Sequence, residues 1–272
     1  MQSVFVPLAL TLVRSPLYVG PASQQLRQHG FTVLEKERLD PLLVEQCRSW
    51  CGTRLLEVLE HIGSLGCDVI EQSFSFTECE HRQRLRYDMA LPLSAPIACE
   101  ACDGARSWAQ LCERAMCVAA PVIKAAVVKS CEPRLTMAGV VTSRPGAAQQ
   151  DWHADGSAGL FTVFVPLVNI PENGDGTEFL AGSHTDVGAL AKASRASGVA
   201  PAAAAGQIII FDYRVIHRGG ANPCEALGGR ERPVAYIVVS ANGQWDSKNF
   251  CRLSVTDALP AHIDQMPYWS DF

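Results

Sequence analysis

Gln207-Ile-Ile-Ile-Phe-Asp-Tyr-Arg-Val-Ile-His217 is a short, β-branched run that breaks at a charged turn and ends in a histidine. Such residues suit a pleated, buried surface, so the run reads as a strand. Three further stretches share its character: 135–143 (LTMAGVVTS), 161–170 (FTVFVPLVNI) and 234–240 (VAYIVVS). Gly, Pro and Asn turns separate them, of which Pro171-Glu-Asn-Gly-Asp-Gly176 is the plainest. Strands at this spacing, without helical patterns between them, argue for an antiparallel β-sandwich or barrel and against a doubly wound fold. The Ala-rich run 189–205 reads as a helical turn or a loop.

The first half of the chain has a different period. Residues 24–35 (QQLRQHGFTVLE) predict a short helix running into a strand. Asp40-Pro41 then opens a helix, because Asp caps an N-terminus well and Pro suits the first helical position. Leu43, Cys47, Trp50, Cys51, Leu55, Val58, Leu59 and Ile62 follow at three-and-four spacing, so one face is buried, and Gly63 and Gly66 end it. A further helix is expected over about 105–120, with Trp108, Leu111, Cys112, Ala115 and Ala119 on one face and Pro121 kinking or ending it.

Composition narrows the class. The chain has 272 residues, 48% hydrophobic and 19% charged, enough for a packed interior. A net charge of −5 gives no electrostatic reason to expect a nucleic-acid partner. The apolar run 4–13 is broken by Pro7, is too short to span a bilayer and has no basic leader, so neither a membrane span nor a signal peptide is expected. The 11 cysteines are odd in number and scattered, which predicts reduced thiols in an intracellular, cytoplasmic protein. Cys99-x-x-Cys102 with Cys112 and Cys117 resembles a zinc pattern. Five helical residues turn through about 500°, however, so the last two thiols diverge by about 140°. Buried small hydrophobes are the expected reading.

No GxxxxGK, GxGxxG after a strand, or GxSxG occurs. What does occur is Gln150-Asp-Trp-His153-Ala-Asp155-Gly156. In an extended segment His153 and Asp155 project from one face, and His217, at the end of its strand, can join them where late strands return beside early ones. Two imidazoles and one carboxylate form the facial triad of non-haem Fe(II) oxygenases, with three coordination positions left open for a chelating co-substrate and O2.

With these motifs in hand, the sequence resembles the phytanoyl-CoA dioxygenase family of Fe(II)/2-oxoglutarate-dependent oxygenases. The likeness takes in Gly30-Phe-Thr-Val-Leu34, Leu39-Asp40, the Gln150–Gly156 segment, Gly176-Thr-Glu-Phe-Leu-Ala-Gly-Ser-His184, Phe211-Asp-Tyr-Arg-Val-Ile-His-Arg-Gly219 and Arg232-Pro-Val-Ala-Tyr-Ile237. It implies His153, Asp155 and His217 as iron ligands and Arg232 as the partner of the distal 2-oxoglutarate carboxylate, with Thr177 adding a hydroxyl and Gln150 an amide contact. Arg232 stands farther from the distal histidine than is usual in the family, after a Gly-rich insertion. Arg230 shares its strand face and is the alternative, although the Arg-Pro-Val pairing favours Arg232. His184 belongs to a motif that looks like a structural turn and is left out of the ligand set.

The expected architecture is mainly β with N-terminal helices: a double-stranded β-helix (jelly roll, cupin-like) over 131–245, an extension over 1–130 packed on it and a tail over 246–272. The expected function is Fe(II)/2-oxoglutarate-dependent oxidation, chiefly hydroxylation, of a C–H bond in a small molecule, with 2-oxoglutarate decarboxylated to succinate. Asp155 speaks against a halogenase, which needs that ligand position vacated. The rivals are a non-catalytic metal- or ligand-binding jelly roll and an oxygenase of protein side chains. Arg82, Arg84 and Arg86 alternate in 81–89, which on one strand would aim three guanidiniums together at an anionic substrate; a solvated strand face explains the same pattern.

Overall fold

Asp40 accepts hydrogen bonds from the backbone N–H groups of Leu42 and Leu43, and so starts the longest N-terminal helix. The structure is a computed structural model that describes residues 21–93, 103–127, 132–171, 176–186, 188–193, 197–246 and 252–266. Helix α1 (Ala22–His29) stops at Gly30, whose φ of 81° is open to glycine, and passes into β1 (Phe31–Arg38). The helix capped by Asp40 is α2 (Pro41–Ser64), with the expected residues buried except Trp50, which is half-buried. Asp40→Ala removes both cap bonds, and thermal unfolding is expected to report a loss of about 1 kcal/mol, a fall of a few degrees in Tm.

The second long helix, α3 (Asp103–Ala126), runs further than expected. Pro121 lies inside it rather than at its end, and the last turn is retained by burial of Ile123 and Ala126 against the core. Cys112 is buried and Cys117 exposed, the divergence expected of five helical residues. Cys99 and Cys102 lie outside the described residues, as do the apolar run 4–13 and residues 172–175. Burial pushes the Cys47 and Cys112 thiols up to about 12, the state of packed hydrophobes rather than of metal ligands. No described helix is long and apolar enough to cross a membrane.

The remaining strands are β2 (Phe74–Ser75), β3 (Cys79–Gln83), β4 (Arg86–Ala90), β5 (Arg134–Ser143), β6 (Leu160–Pro166), β7 (Thr177–Phe179), β8 (Gln207–Asp212), β9 (His217–Gly219) and β10 (Arg232–Ser240). Eight form one antiparallel sheet in the order β1-β8-β6-β10-β5-β4-β3-β2, and β7 pairs with β9 in a small second sheet. The fold is the mostly antiparallel jelly-roll arrangement expected, with one difference. Residues before 130 do more than pack on the core, since β1 to β4 extend the large sheet at both edges. The stretch expected as one strand over 161–170 leaves that sheet at Pro166, and Ile170 bridges to Ala203. The Ala-rich run holds one helical turn, α4 (Ala189–Lys192).

Both faces of the large sheet are covered, and its alternation divides two environments. On β10, Ala235, Ile237 and Val239 pack into the main core with residues of α1 to α3, while Arg232, Val234, Tyr236 and Val238 line a cavity on the other face. Residues 81–89 are a hairpin rather than one strand, turning at Arg84 and at Leu85, whose φ is 61°. The turn breaks the expected row of guanidiniums. Arg84 is exposed and bound to Glu71, Arg82 is paired with Glu80, and only Arg86 is buried.

Candidate metal centre

His153 lies in no regular strand, yet its backbone is pinned. Its N–H donates to the His217 carbonyl at 3.0 Å, and the His217 N–H returns the bond at 2.8 Å. This isolated bridge places a side chain from the loop after β5 beside the first residue of β9. The imidazoles lie with ring centroids 4.5 Å apart, and the Asp155 carboxylate is 3.6 Å from His217 Nε2. Each of the three residues offers a ligand atom within 4.8 Å of the others. Among the described residues, no other set of three or more His, Cys, Asp or Glu side chains meets that condition.

The hydrogen bonds set which nitrogen each ring presents. His153 Nδ1 lies 2.8 Å from the Asp151 carbonyl and His217 Nδ1 lies 3.0 Å from the Val215 carbonyl. A carbonyl can only accept, so both Nδ1 atoms carry the proton and both Nε2 lone pairs are free for a metal. Burial lowers the His217 pKa, against the pull of Asp155, and keeps that ring neutral as a ligand must be. Phe179 and Phe211 flank it, with centroids 5.9 and 4.8 Å away, and close that side to water. Thr162 Oγ1 donates to Asp155 Oδ2 at 3.4 Å. Two neutral imidazoles and one carboxylate, each with its orientation held by a second partner, fit an Fe(II) ion.

The triad opens into a cavity of about 640 Å³, within the size range of small-molecule sites. At one end stand two buried arginines, and their proximity follows from strand register. Arg86 on β4 pairs with Ser143 on β5, which pairs with Arg232 on β10. Both guanidiniums donate to the Gly220 carbonyl, Arg86 at 3.0 Å and Arg232 at 2.9 Å. Burial, and then the Arg232 charge, pull Arg86 down to about 10. Two crowded, desolvated cations are a place for an anion. Arg230 is exposed and donates to the Asn169 carbonyl instead, and it does not line the cavity.

Thr177 lines the same end, opposite Gly219 in the β7–β9 pair. The Gln150 side-chain oxygen accepts from the Gly219 N–H at 2.8 Å, which leaves its NH2 for the cavity. A Cβ at Gly219 would stand 2.6 Å from Gln150 Oε1 and 2.7 Å from Arg86 Nη1, so a larger residue there displaces the ends of both side chains. His184 lies apart, in a buried 3-10 turn against the Arg27 carbonyl, and takes no part in the cavity.

Sequence reasoning missed part of the wall. Arg86 and Asp88 belong to the alternating row in 81–89 and carry no further signal, and Tyr213, Tyr236 and Asp246 carry none of their own. Tyr213 donates to Asp246 Oδ2 at 2.8 Å. The Tyr236 ring lies across Gly139, where a Cβ would meet its hydroxyl at 2.4 Å, and that hydroxyl stands beside the Asp88 carboxyl. Burial pushes the Asp88 carboxyl up to about 7, and Tyr236 holds it back in part.

The family profile described as Phytanoyl-CoA dioxygenase (PhyH) matches residues 77–227, more than half of the chain and all three triad residues. The chain belongs to the phytanoyl-CoA dioxygenase family. As a member it is a 2-oxoglutarate-dependent non-haem iron oxygenase by family, with an HxD…H triad. The family match ends before Arg232, whose place beside the triad comes from the fold. No curated protein matches the chain in sequence.

Solved structures share the fold at low identity. AviO1 from Streptomyces viridochromogenes Tue57 is similar with a TM-score of 0.58 at 18% identity, over 82% of this chain and 94% of that one. The epimerase SnoN from nogalamycin biosynthesis, solved with Fe3+, alpha-ketoglutarate and nogalamycin RO, has a TM-score of 0.52 at 15% identity, over 86% and 94%. EctD from S. alaskensis, solved with 2-oxoglutarate and 5-hydroxyectoine, has a TM-score of 0.51 at 17% identity, over 80% and 74%.

Proposed function

We propose that this protein hydroxylates a C–H bond of a small molecule, with Fe(II), O2 and 2-oxoglutarate as the oxidising system. The observation that carries this reading is the convergence of two imidazole Nε2 atoms and one carboxylate at the floor of a cavity whose end holds a buried arginine pair. His153, Asp155 and His217 hold the iron. Arg232 takes the distal carboxylate of 2-oxoglutarate, with Thr177 and the Gln150 amide contributing at the same end. When bound, the iron supplies the oxidation, coupled to decarboxylation of 2-oxoglutarate to succinate.

The chain's own residues do the rest. Backbone carbonyls of Asp151 and Val215 hold both imidazoles in the tautomer that frees Nε2. The Phe179 and Phe211 rings keep solvent from His217. Arg86 ties the Ala148 and Gly220 carbonyls together and so positions the loops that carry Gln150 and lead to Arg232. The cavity's 640 Å³ lies within the range of small-molecule sites, which supports a small molecule as the substrate.

Anaerobic addition of Fe(II) and 2-oxoglutarate is expected to give a weak visible metal-to-ligand charge-transfer band in the wild type and none in Asp155→Ala. Zinc is expected to bind without a band or turnover. A wild type that lacks the band at saturating 2-oxoglutarate, and consumes no co-substrate, is a binding protein instead.

A further inference from the structure

The cavity is electrically lopsided. Five carboxylates line it, from Glu80, Asp88, Asp151, Asp155 and Asp246, against three guanidiniums, from Arg82, Arg86 and Arg232. An Fe(II) ion and a 2-oxoglutarate dianion cancel each other, so the loaded site keeps an excess of two negative charges when Asp88 is ionised and of one when it is not. A cleft with an excess of one sign of charge focuses its field on whatever enters.

Two of the five carboxylates, Glu80 and Asp88, stand on the β3–β4 hairpin, which also carries Arg82 and Arg86. Glu80 and Asp88 are paired directly across it, a like-charge arrangement that destabilises a sheet. Glu80 is 2% exposed and is answered by Arg82 and by the Ser75 hydroxyl. Asp88 has less. It is half-buried, its neighbour is the Tyr236 hydroxyl, and its Oδ1 makes no hydrogen bond. Tyr236, 6% exposed and lining the cavity, likewise makes no hydrogen bond of good geometry through its hydroxyl. Among the described residues no cationic side chain is bonded to Asp88, and the Arg82 charge acts on it only from a distance, so a carboxylate facing a substrate-sized space lacks the directly bonded partner that burial calls for. Asp246, 7% exposed, adds to the same field through the Tyr213 hydroxyl.

We propose that the substrate carries a protonated amine, which docks on Asp88 with Glu80 and Asp246 flanking it. This assignment rests on the oxygenase reading and names the substrate class for that site. It separates the roles of the charged groups: the arginine pair holds the anionic co-substrate, and the hairpin carboxylates select a cation. An anionic substrate is excluded by the same field.

The test uses the 272-residue chain loaded with zinc and 2-oxoglutarate, so binding is read without turnover. Isothermal titration calorimetry with benzylammonium, benzyl alcohol and benzoate compares three charges on one frame. Benzylammonium is expected to bind at least ten-fold more tightly than the alcohol, benzoate to bind more weakly still, and the ammonium affinity to fall as salt rises. Asp88→Asn is expected to weaken the ammonium at least ten-fold, and Glu71→Gln, at an exposed ion pair outside the cavity, to leave it unchanged. Benzoate or benzyl alcohol matching benzylammonium in the wild type, or no ammonium binding at all, overturns the proposal. So does an Asp88→Asn protein that melts cooperatively and binds ammonium as the wild type does. Should that variant not fold, the wild-type ranking decides alone. The Fe(II)–2-oxoglutarate band is measured anaerobically on the same protein loaded with Fe(II) in place of zinc: its presence with a failed ranking sinks only the amine, and its absence sinks the oxygenase.

Discussion

His153→Ala, Asp155→Ala and His217→Ala are each expected to abolish substrate oxidation and to weaken metal binding sharply. Each substitution removes one of three protein ligands, and what remains cannot hold an ion facially with the orientation that the backbone bridge imposes. The three differ in their structural consequences. His217 is 5% exposed between aromatic rings, so its truncation leaves a void and costs about 2–4 kcal/mol of stability as well. Asp155 is more exposed and faces the acidic wall, so Asp155→Ala is expected to melt within a few degrees of the wild type while binding no iron. Metal content after dialysis, thermal melts and succinate formation together check this. Full turnover by any one of the three variants removes that residue from the ligand set.

Arg232→Gln is expected to raise the 2-oxoglutarate requirement roughly thirty-fold or more, since truncating a buried charge-assisted pair costs about 2–5 kcal/mol. Iron affinity is expected to change little, because the guanidinium stands at the cavity's end and bonds to Gly220 and Ala221 rather than to the triad. Arg230→Gln is the comparison. Its side chain bonds the Asn169 carbonyl outside the cavity, so its 2-oxoglutarate dependence is expected to match the wild type. Succinate formation against 2-oxoglutarate concentration distinguishes the two, and a defect confined to Arg230→Gln reassigns the anchor.

What was legible beforehand was whatever depends on near neighbours in the chain. Asp40-Pro41 announced α2 because capping is a local bond, and the buried face of that helix followed from its period. The strands 207–212 and 234–240 were readable for the same reason, each a run of side chains that suit a pleat. Pro121 does not end α3, because a lost hydrogen bond is a local cost whereas the burial of Ile123 that offsets it is not. Arg82 and Arg84 are solvated, as the pattern allowed, but they do not share one strand with Arg86, because a two-residue turn with one positive φ, at Leu85, has no strong sequence signature.

The chemistry divides along the same line. By itself the sequence determined the ligand types and the triad's members, since HxD places two donors on one extended face and a third histidine ends a strand. Only the tertiary structure decided which arginine faces the cavity and which groups form its wall. Arg232 and Arg86 meet because β5 lies between β4 and β10 in register, and Asp88 meets Tyr236 because Gly139 leaves room for a ring to lie across the sheet. Such meetings depend on strand order and on the absence of one Cβ, across separations of 146 and 148 residues, and no local pattern encodes them.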